Sequence, residues 1–240
     1  MTDLLGIARD QDCWTFTLQR PDKMNALNAP LVEALLAGVE NAHASGARIL
    51  VFQGCGKNFS AGFDFSELDS QSDGDLLMRF VRIETLLQKV ATSPCLTVVF
   101  AHGRNFGAAV DLFAVCRQRY STADASFRMP GLKFGLVLGS RRFAHLVGQS
   151  KALEILQPGR TILADEAVEI GLATHLIAQG EWLNAIADAQ RVARGLDRVT
   201  QQQLYQALDT EMHDRDLASV VRSAARPGLK SRITHYLNQT

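Results

Sequence analysis

Two short apolar runs, Ile49-Leu-Val-Phe52 and Cys95-Leu-Thr-Val-Val-Phe-Ala101, most restrict the folds open to this chain. A strand with almost no polar side must be covered on both faces, the situation of a parallel sheet layered by helices. The segments before them have helical period. Leu31, Leu35, Val39 and Ala42 line one face of a predicted helix from Asn28, its N-cap, to about Ala44, with Pro30 in the first turn and Ser45-Gly46 ending it. Phe80, Ile83, Leu87 and Val90 line another, over Leu76–Val90. Trp14-Thr-Phe-Thr-Leu-Gln19 alternates as a half-buried strand and turns at Arg20-Pro-Asp22. After a loop at His102–Asn105, Gly107–Cys116 reads as a helix and Gln118–Ser121 as a strand. Residues 12–121 therefore alternate strand and helix four strands deep, which makes the core α/β.

From Lys151 on, the pattern is almost wholly helical, over Lys151–Gln157, Ala164–Ile170, Trp182–Arg194 and Val199–Thr210. No Pro-, Gly- or Ser-rich linker sets this part off, so it reads as a helical appendage to the core. A 240-residue chain of this kind buries roughly 70–75% of its unfolded surface. Its 25 Lys and Arg balance 25 Asp and Glu, which gives no basic footprint for nucleic acid or an anionic membrane. The first ten residues lack the basic and apolar regions of a signal peptide, and no apolar stretch is long enough to span a bilayer. Cys13, Cys55, Cys95 and Cys116 are far apart and read as reduced thiols, so the expected location is the cytoplasm. The six histidines lack ligand spacing, and no metal site is expected.

Three segments can carry chemistry. Gly54-Cys-Gly56 begins like a dinucleotide-binding turn but lacks the third glycine and the following helix, and Lys57-Asn58 is not a P-loop ending. Asn58-Phe-Ser-Ala-Gly62 is one glycine short of a nucleophile elbow at Ser60. In Gly103-Arg-Asn-Phe-Gly107-Ala-Ala-Val-Asp111, small residues let a ligand approach a helix start, and Asp111 shares a face with Ala108. That segment reads either as a base beside an anion-stabilising backbone, or as close helix–sheet packing with an acid stabilising the dipole.

Together the segments resemble the crotonase superfamily, the enoyl-CoA hydratase/isomerase family, from about Ile7 to Ile177. Arg20-Pro-Asp-Lys-Met-Asn-Ala-Leu27 is similar to an early family loop, and Phe59-Ser-Ala-Gly-Phe-Asp-Phe-Ser-Glu-Leu68 to F-x-A-G-x-D-[LI]-x-x-[LM]. His102-Gly103 with Gly107-Ala-Ala-Val-Asp-Leu112 stands where the family has N-G-x-x-x-G-G-G-x-E-L. Phe127-Arg-Met-Pro-Gly-Leu-Lys-Phe-Gly-Leu136 stands for F-x-x-P-E-x-x-x-G-L, and Leu146-Val-Gly148 with Ala164–Ala173 for V-G and A-x-x-A-x-x-x-G-L-V. The resemblance implies a spiral of β-β-α units over residues 1–180 holding an acyl-CoA pocket. It implies a helical segment over 181–240 for assembly as a trimer or hexamer. A coenzyme A thioester is the implied substrate, with no cofactor. The implied oxyanion hole is the N–H groups of Phe63 and Ala108, and Asp111 is the implied catalytic acid. Lys23, Met24, Ala26, Ala61, Gly62, Asp64, Phe65, Gly107, Pro130, Gly131 and Gly139 are the implied substrate contacts.

The chain departs from the family where hydration is concerned. Family hydratases carry two glutamates; here Asp111 holds the first position and Gly131 the second, and Val137–Arg142 is about two residues short. Ala108 also replaces a usual glycine. Adding water across a double bond needs both a base and an acid. A single-acid reaction such as double-bond isomerisation is therefore expected over hydration, with decarboxylation and thioester hydrolysis also open. The alternative is a non-catalytic acyl-CoA-binding or assembly subunit of the same fold. Arg128, Lys133, Arg141 and Arg142 near the altered region read as solvated surface charge or as partners of a polar acyl group.

Overall fold

The computed structural model describes residues 4–209 and 212–239. In chain order its strands and helices are β1 (Leu5–Asp10), β2 (Cys13–Leu18), α1 (Ala29–Ala44), β3 (Ile49–Gly54), α2 (Asp73–Ala91), β4 (Leu96–Ala101), β5 (Arg104–Phe106) and α3 (Ala108–Ala114). There follow β6 (Gln118–Ser121), β7 (Ser126–Arg128), α4 (Ser140–Val147), α5 (Gln149–Leu156), β8 (Thr161–Leu163), α6 (Ala164–Glu169) and β9 (His175–Leu176). The chain closes with α7 (Trp182–Arg194), α8 (Arg198–Ala207), α9 (His213–Ala224) and α10 (Leu229–Leu237).

The larger sheet runs β1-β2-β3-β4-β6-β9 and is parallel except for the β1–β2 hairpin. A smaller sheet, β5-β7-β8, lies beside it, and the isolated parallel bridges Leu27–Phe63 and Ser60–Asn105 continue that second row. The chain thus visits the large sheet, then the second row, then a helix, and repeats: β3, residues 60–63, α2; then β4, β5, α3; then β6, β7, α4. This is the expected spiral of β-β-α units.

Local chemistry sets the elements. Asn28 caps α1 through its side chain, accepting from the Leu31 N–H at 3.1 Å. Ser72 and Asp75 form a reciprocal capping box at the start of α2. The apolar runs of β3 and β4 are covered on both faces as their composition requires. One face meets α1, α2 and α3, while Ile49, Val51, Val98 and Phe100 on the other meet Trp182, Ala185 and Ala189 of α7. Phe100 stacks between Tyr120 and Trp182, at 5.1 and 4.9 Å. Burial of each side chain of this size contributes roughly 1.5–3 kcal/mol.

The sequence reading needs correction at the short strands. The expected loop His102–Asn105 contains β5, and the helical C-terminal part is interrupted by β8 and β9. These two- and three-residue strands have no room to show a period, and only pairing across the sheets defines them. The helix expected over Val199–Thr210 ends at Ala207, and Thr210 lies outside the described residues. Helices α9 and α10 complete the C-terminal part, packing on α2 and on the Gly131–Phe134 turn respectively.

Candidate active site

The turn after β3 is held from beneath. Asn25, in the left-handed region at φ 53°, donates from its amide to the carbonyls of Cys55 and Asn58 at 2.8 and 2.9 Å. The buried Ser60 hydroxyl donates to the Asn25 carbonyl at 2.7 Å and accepts from the Gly62 N–H at 3.1 Å. Ser60 is thereby a structural brace, with its hydroxyl committed on both sides. Gly62 has φ +77°, and a Cβ there would lie 2.0 Å from the Phe106 carbonyl oxygen and 3.1 Å from the Ala108 nitrogen. Only glycine lets the Gly62–Phe63 backbone press so close to the start of α3.

This contact brings two amides together. Ala108 is the first residue of α3, so its N–H has no partner inside the helix. Among the described residues, neither that N–H nor the N–H of Phe63 donates to a backbone or side-chain acceptor. Both residues line one cleft of about 480 Å³. Gly107, at φ +51°, anchors the approach by donating to the Arg128 carbonyl at 2.8 Å.

Asp111, one turn into α3, lines the same cleft yet is only 4% exposed. Its Oδ1 is buried and has no hydrogen-bond partner among the described residues. Burial pushes its carboxyl well above the ordinary value of 3.8; the Glu84 carboxylate adds to the rise, against an opposing pull from Arg142. Glu84, fully buried on α2, forms a two-pronged ion pair with Arg142 of α4 at 2.9 and 3.0 Å. Arg142 also lies 3.3 Å from Asp216 of α9, which Arg141 grips with two bonds at 2.7 and 2.8 Å. The expectation of solvated surface charge at Arg141 and Arg142 is therefore corrected: both are built into a network behind Asp111.

The structure gathers most of the sequence-named residues. Lys23, Met24, Ala26, Ala61, Phe63, Asp64, Phe65, Gly107, Ala108, Asp111, Pro130 and Gly131 all line the cleft. Two do not. Gly62 sits behind the wall, against Phe106 and Ala108, and Gly139 abuts Asp111, where a Cβ would lie 1.8 Å from Oδ1. Asp64 reaches the cleft mainly as a brace, with its carboxylate accepting from Arg20 at 2.7 Å and from the Ser66 N–H at 2.9 Å. Burial raises its pKa, but those donors outweigh it and the net value falls below the ordinary one. Arg79 completes the brace, donating to the Asp64 carbonyl at 2.8 Å with its guanidinium 4.0 Å from the Phe63 ring centre.

Sequence reasoning missed much of the apolar lining, including Phe80, Phe106, Phe134, Leu138 and Tyr236, and the supporting Arg20, Arg79, Glu84 and Arg142. One signal was present. Glu84 adjoins Ile83 in the apolar stripe of α2, and a carboxylate on a core-facing stripe demands a buried partner.

With this geometry in view, the chain falls into the class of small α/β spiral proteins that gather backbone donors and one buried acid in an apolar cleft. Residues 9–230 match the family model described as enoyl-CoA hydratase/isomerase. The chain belongs to that family. It is 32% identical over 201 residues to the Mycobacterium tuberculosis protein named "Probable enoyl-CoA hydratase echA6", covering 82% of this chain and 77% of that one. It is 30% identical over 178 residues to the mitochondrial Delta(3,5)-Delta(2,4)-dienoyl-CoA isomerase of Mus musculus, covering 66% of this chain and 54% of that protein. A crystal structure from Bordetella parapertussis, described as an enoyl-CoA hydratase/isomerase, superposes with TM-score 0.98 at 55% identity over 99% of both chains. Among the described residues, no helix is long and apolar enough to cross a membrane.

Proposed function

We propose that this protein acts on a coenzyme A thioester as a single-acid proton-transfer enzyme, moving a double bond rather than adding water. The observation that carries the reading is the buried Asp111 in the same cleft as the Phe63 and Ala108 amides, with Gly131 in the same lining offering no second acid. The thioester oxygen accepts from the two amides. Asp111 takes a proton from the α- or γ-carbon, and the electron pair of the broken C–H bond moves into the conjugated system toward that oxygen. The same carboxyl returns the proton to the other carbon, so the net change is a shifted double bond. Two preorganised amides aimed at the developing charge are worth about 3 kcal/mol each. The exposed Lys23 and Met24 and the buried Ala26, all on the lining, suit the pantetheine and nucleotide. A raised Asp111 pKa suits a group that must both take and give a proton.

The chain is further proposed to assemble as a trimer or dimer of trimers in the cytoplasm through its 181–240 segment. Leu183, Val199 and Leu208 of that segment are 79%, 64% and 69% exposed, apolar surface that a subunit contact would cover.

The deciding experiment compares two rates in the purified protein: hydrogen exchange from heavy water into an acyl-CoA, and hydration of crotonyl-CoA. Exchange should be measurable and hydration negligible beside it. Equal rates would mean that another residue supplies the second acid. Thioester binding without any exchange or turnover would make the chain a non-catalytic binder.

A further inference from the structure

We infer that the acyl group this cleft takes is apolar and carries an aromatic ring, as in a 4-aryl-2-enoyl thioester, whose γ-carbon still bears the hydrogen that a double-bond shift needs; the inference rests on the thioester reading above. The cleft holds a continuous run of ring contacts. Phe80 stacks on Phe63 with centroids 4.3 Å apart, Phe63 meets Phe65 at 4.9 Å, Phe65 meets Phe134 edge-on at 6.2 Å, and Phe134 meets Tyr236 at 5.5 Å. All five line the cleft, although the chain has only 17 aromatic residues. The run passes through Phe63, whose own N–H is the proposed oxyanion donor, so an acyl group held at that amide lies beside the rings. Leu136, Leu138 and Leu156 supply aliphatic surface to the same cleft.

The wall is fixed in place before any ligand arrives. Arg79 holds Phe63 from behind. Arg232 of α10 donates to the Phe134 carbonyl at 2.8 Å, and Asp73 receives the Gly228, Leu229 and Lys230 N–H groups at the start of α10, seating the helix that carries Tyr236. A rigid, ring-lined slot favours a flat, rigid acyl group, which loses little freedom on binding and gains ring–ring contact.

The guanidinium groups near the cleft argue against an acidic acyl group, and the exposed Lys23 on the same lining is assigned above to the coenzyme. Arg142 is engaged by Glu84, Arg141 by Asp216 and Arg20 by Asp64. Arg128, the remaining guanidinium on the lining, donates through Nε to the Gly159 carbonyl at 2.9 Å. The acid at the centre, Asp111, would repel a second carboxylate.

The test is calorimetric binding of four thioesters to the intact protein: crotonyl-, trans-2-octenoyl-, cinnamoyl- and glutaconyl-CoA, the cinnamoyl ester serving as a ring-bearing binding probe that has no γ-hydrogen and so cannot turn over by a double-bond shift. Cinnamoyl-CoA should bind about tenfold tighter than crotonyl-CoA and tighter than octenoyl-CoA, with glutaconyl-CoA weakest. Phe134→Leu should cut the cinnamoyl-to-octenoyl preference about threefold to tenfold, the size expected for lost ring–ring contact, and the preference is read as a ratio so that a general change in thioester binding cancels. Tyr236→Leu, on the terminal helix, should act in the same direction if the first variant fails to fold. Octenoyl-CoA binding tightest, or a flat series, overturns the aromatic assignment while leaving the thioester reading intact. Glutaconyl-CoA binding tightest overturns it in favour of Arg128. Absence of binding by all four thioesters removes the thioester reading itself, and this inference with it.

Discussion

Replacing Gly139 by alanine tests how tightly the site fixes its acid. The added Cβ would stand 1.8 Å from Asp111 Oδ1 and 2.5 Å from its Cγ. A carbon–oxygen contact needs about 3.3 Å, so the carboxylate must move roughly 1.5 Å. Oδ1 is already buried, which leaves the cleft as the direction of escape and puts the acid where the substrate carbon belongs. A misplacement of about 1 Å costs on the order of 10²-fold in rate, so hydrogen exchange into an acyl-CoA should fall by about 10²-fold or more. The substitution also strains the backbone, since Gly139 has φ +64°, at about 1–2 kcal/mol. Gly228→Ala separates strain from collision. It too is left-handed at φ +76°, but its Cβ would meet nothing nearer than Ser231 Cβ at 3.9 Å. Thermal melts should show both variants destabilised by a few degrees, with exchange lost only in Gly139→Ala. Gly139→Ala exchanging at the wild-type rate would refute the claim that this glycine fixes the acid.

Asp111→Asn should reduce exchange by about 10²-fold or more, the usual worth of a general base, with the fold intact by circular dichroism. Because burial raises the Asp111 pKa in the folded state, the stability from its protonated form is complete below its unfolded value and is lost as pH rises through the folded value. Denaturant titrations should therefore find Asp111→Asn gaining on wild type as pH rises through that value. The pH–rate profile for exchange should have an acidic limb above the ordinary carboxylate value of 3.8, since the base works ionised. Glu84→Gln removes a negative neighbour and should shift that limb downward, while stripping Arg142 of its main partner costs about 3–5 kcal/mol of stability. Light scattering should give a trimer or hexamer at micromolar concentration, and Leu183→Asp with Leu208→Asp should weaken it if α7 and α8 carry the contact.

What was legible in the sequence follows from how far each signal extends along the chain. Helices α1, α2 and α7 each bury a stripe over three or more turns, so their period shows, and β3 and β4 announce double-sided burial through their apolar runs. Strands β5, β7 and β8 have three residues each and owe their existence to neighbours across the second row. The site divides in the same way. Phe63, Ala108 and Asp111 sit in blocks whose resemblance to the family's motifs carried the reading, whereas Tyr236 reaches the cleft from the far end of the chain and leaves no trace there. Arg142 was misread because a guanidinium next to another at Arg141 looks like surface until its buried partner on α2 is known.

The short turn between Leu136 and α4 ties these observations to the chemistry. Helix α4 begins at Ser140, and Gly139 just before it lies directly against the Asp111 carboxylate. Gly131 is itself crowded, since a Cβ there would come 3.3 Å from the Leu136 carbonyl oxygen. Restoring a glutamate at 131 would therefore place its first carbon against that carbonyl, so a new acid comes at the expense of the turn. Asp111 lies against Gly139 and near the Glu84–Arg142 pair, burial and Glu84 raise its affinity for a proton, and Phe134 and Leu136 line the same cleft. On the proposed reading, such a site hands one proton between two carbons of a bound chain and has no second acid with which to activate a water. Gly131→Glu alone should therefore not raise crotonyl-CoA hydration to the level of proton exchange, and if it does, the turn is more pliable than the packing at Leu136 implies.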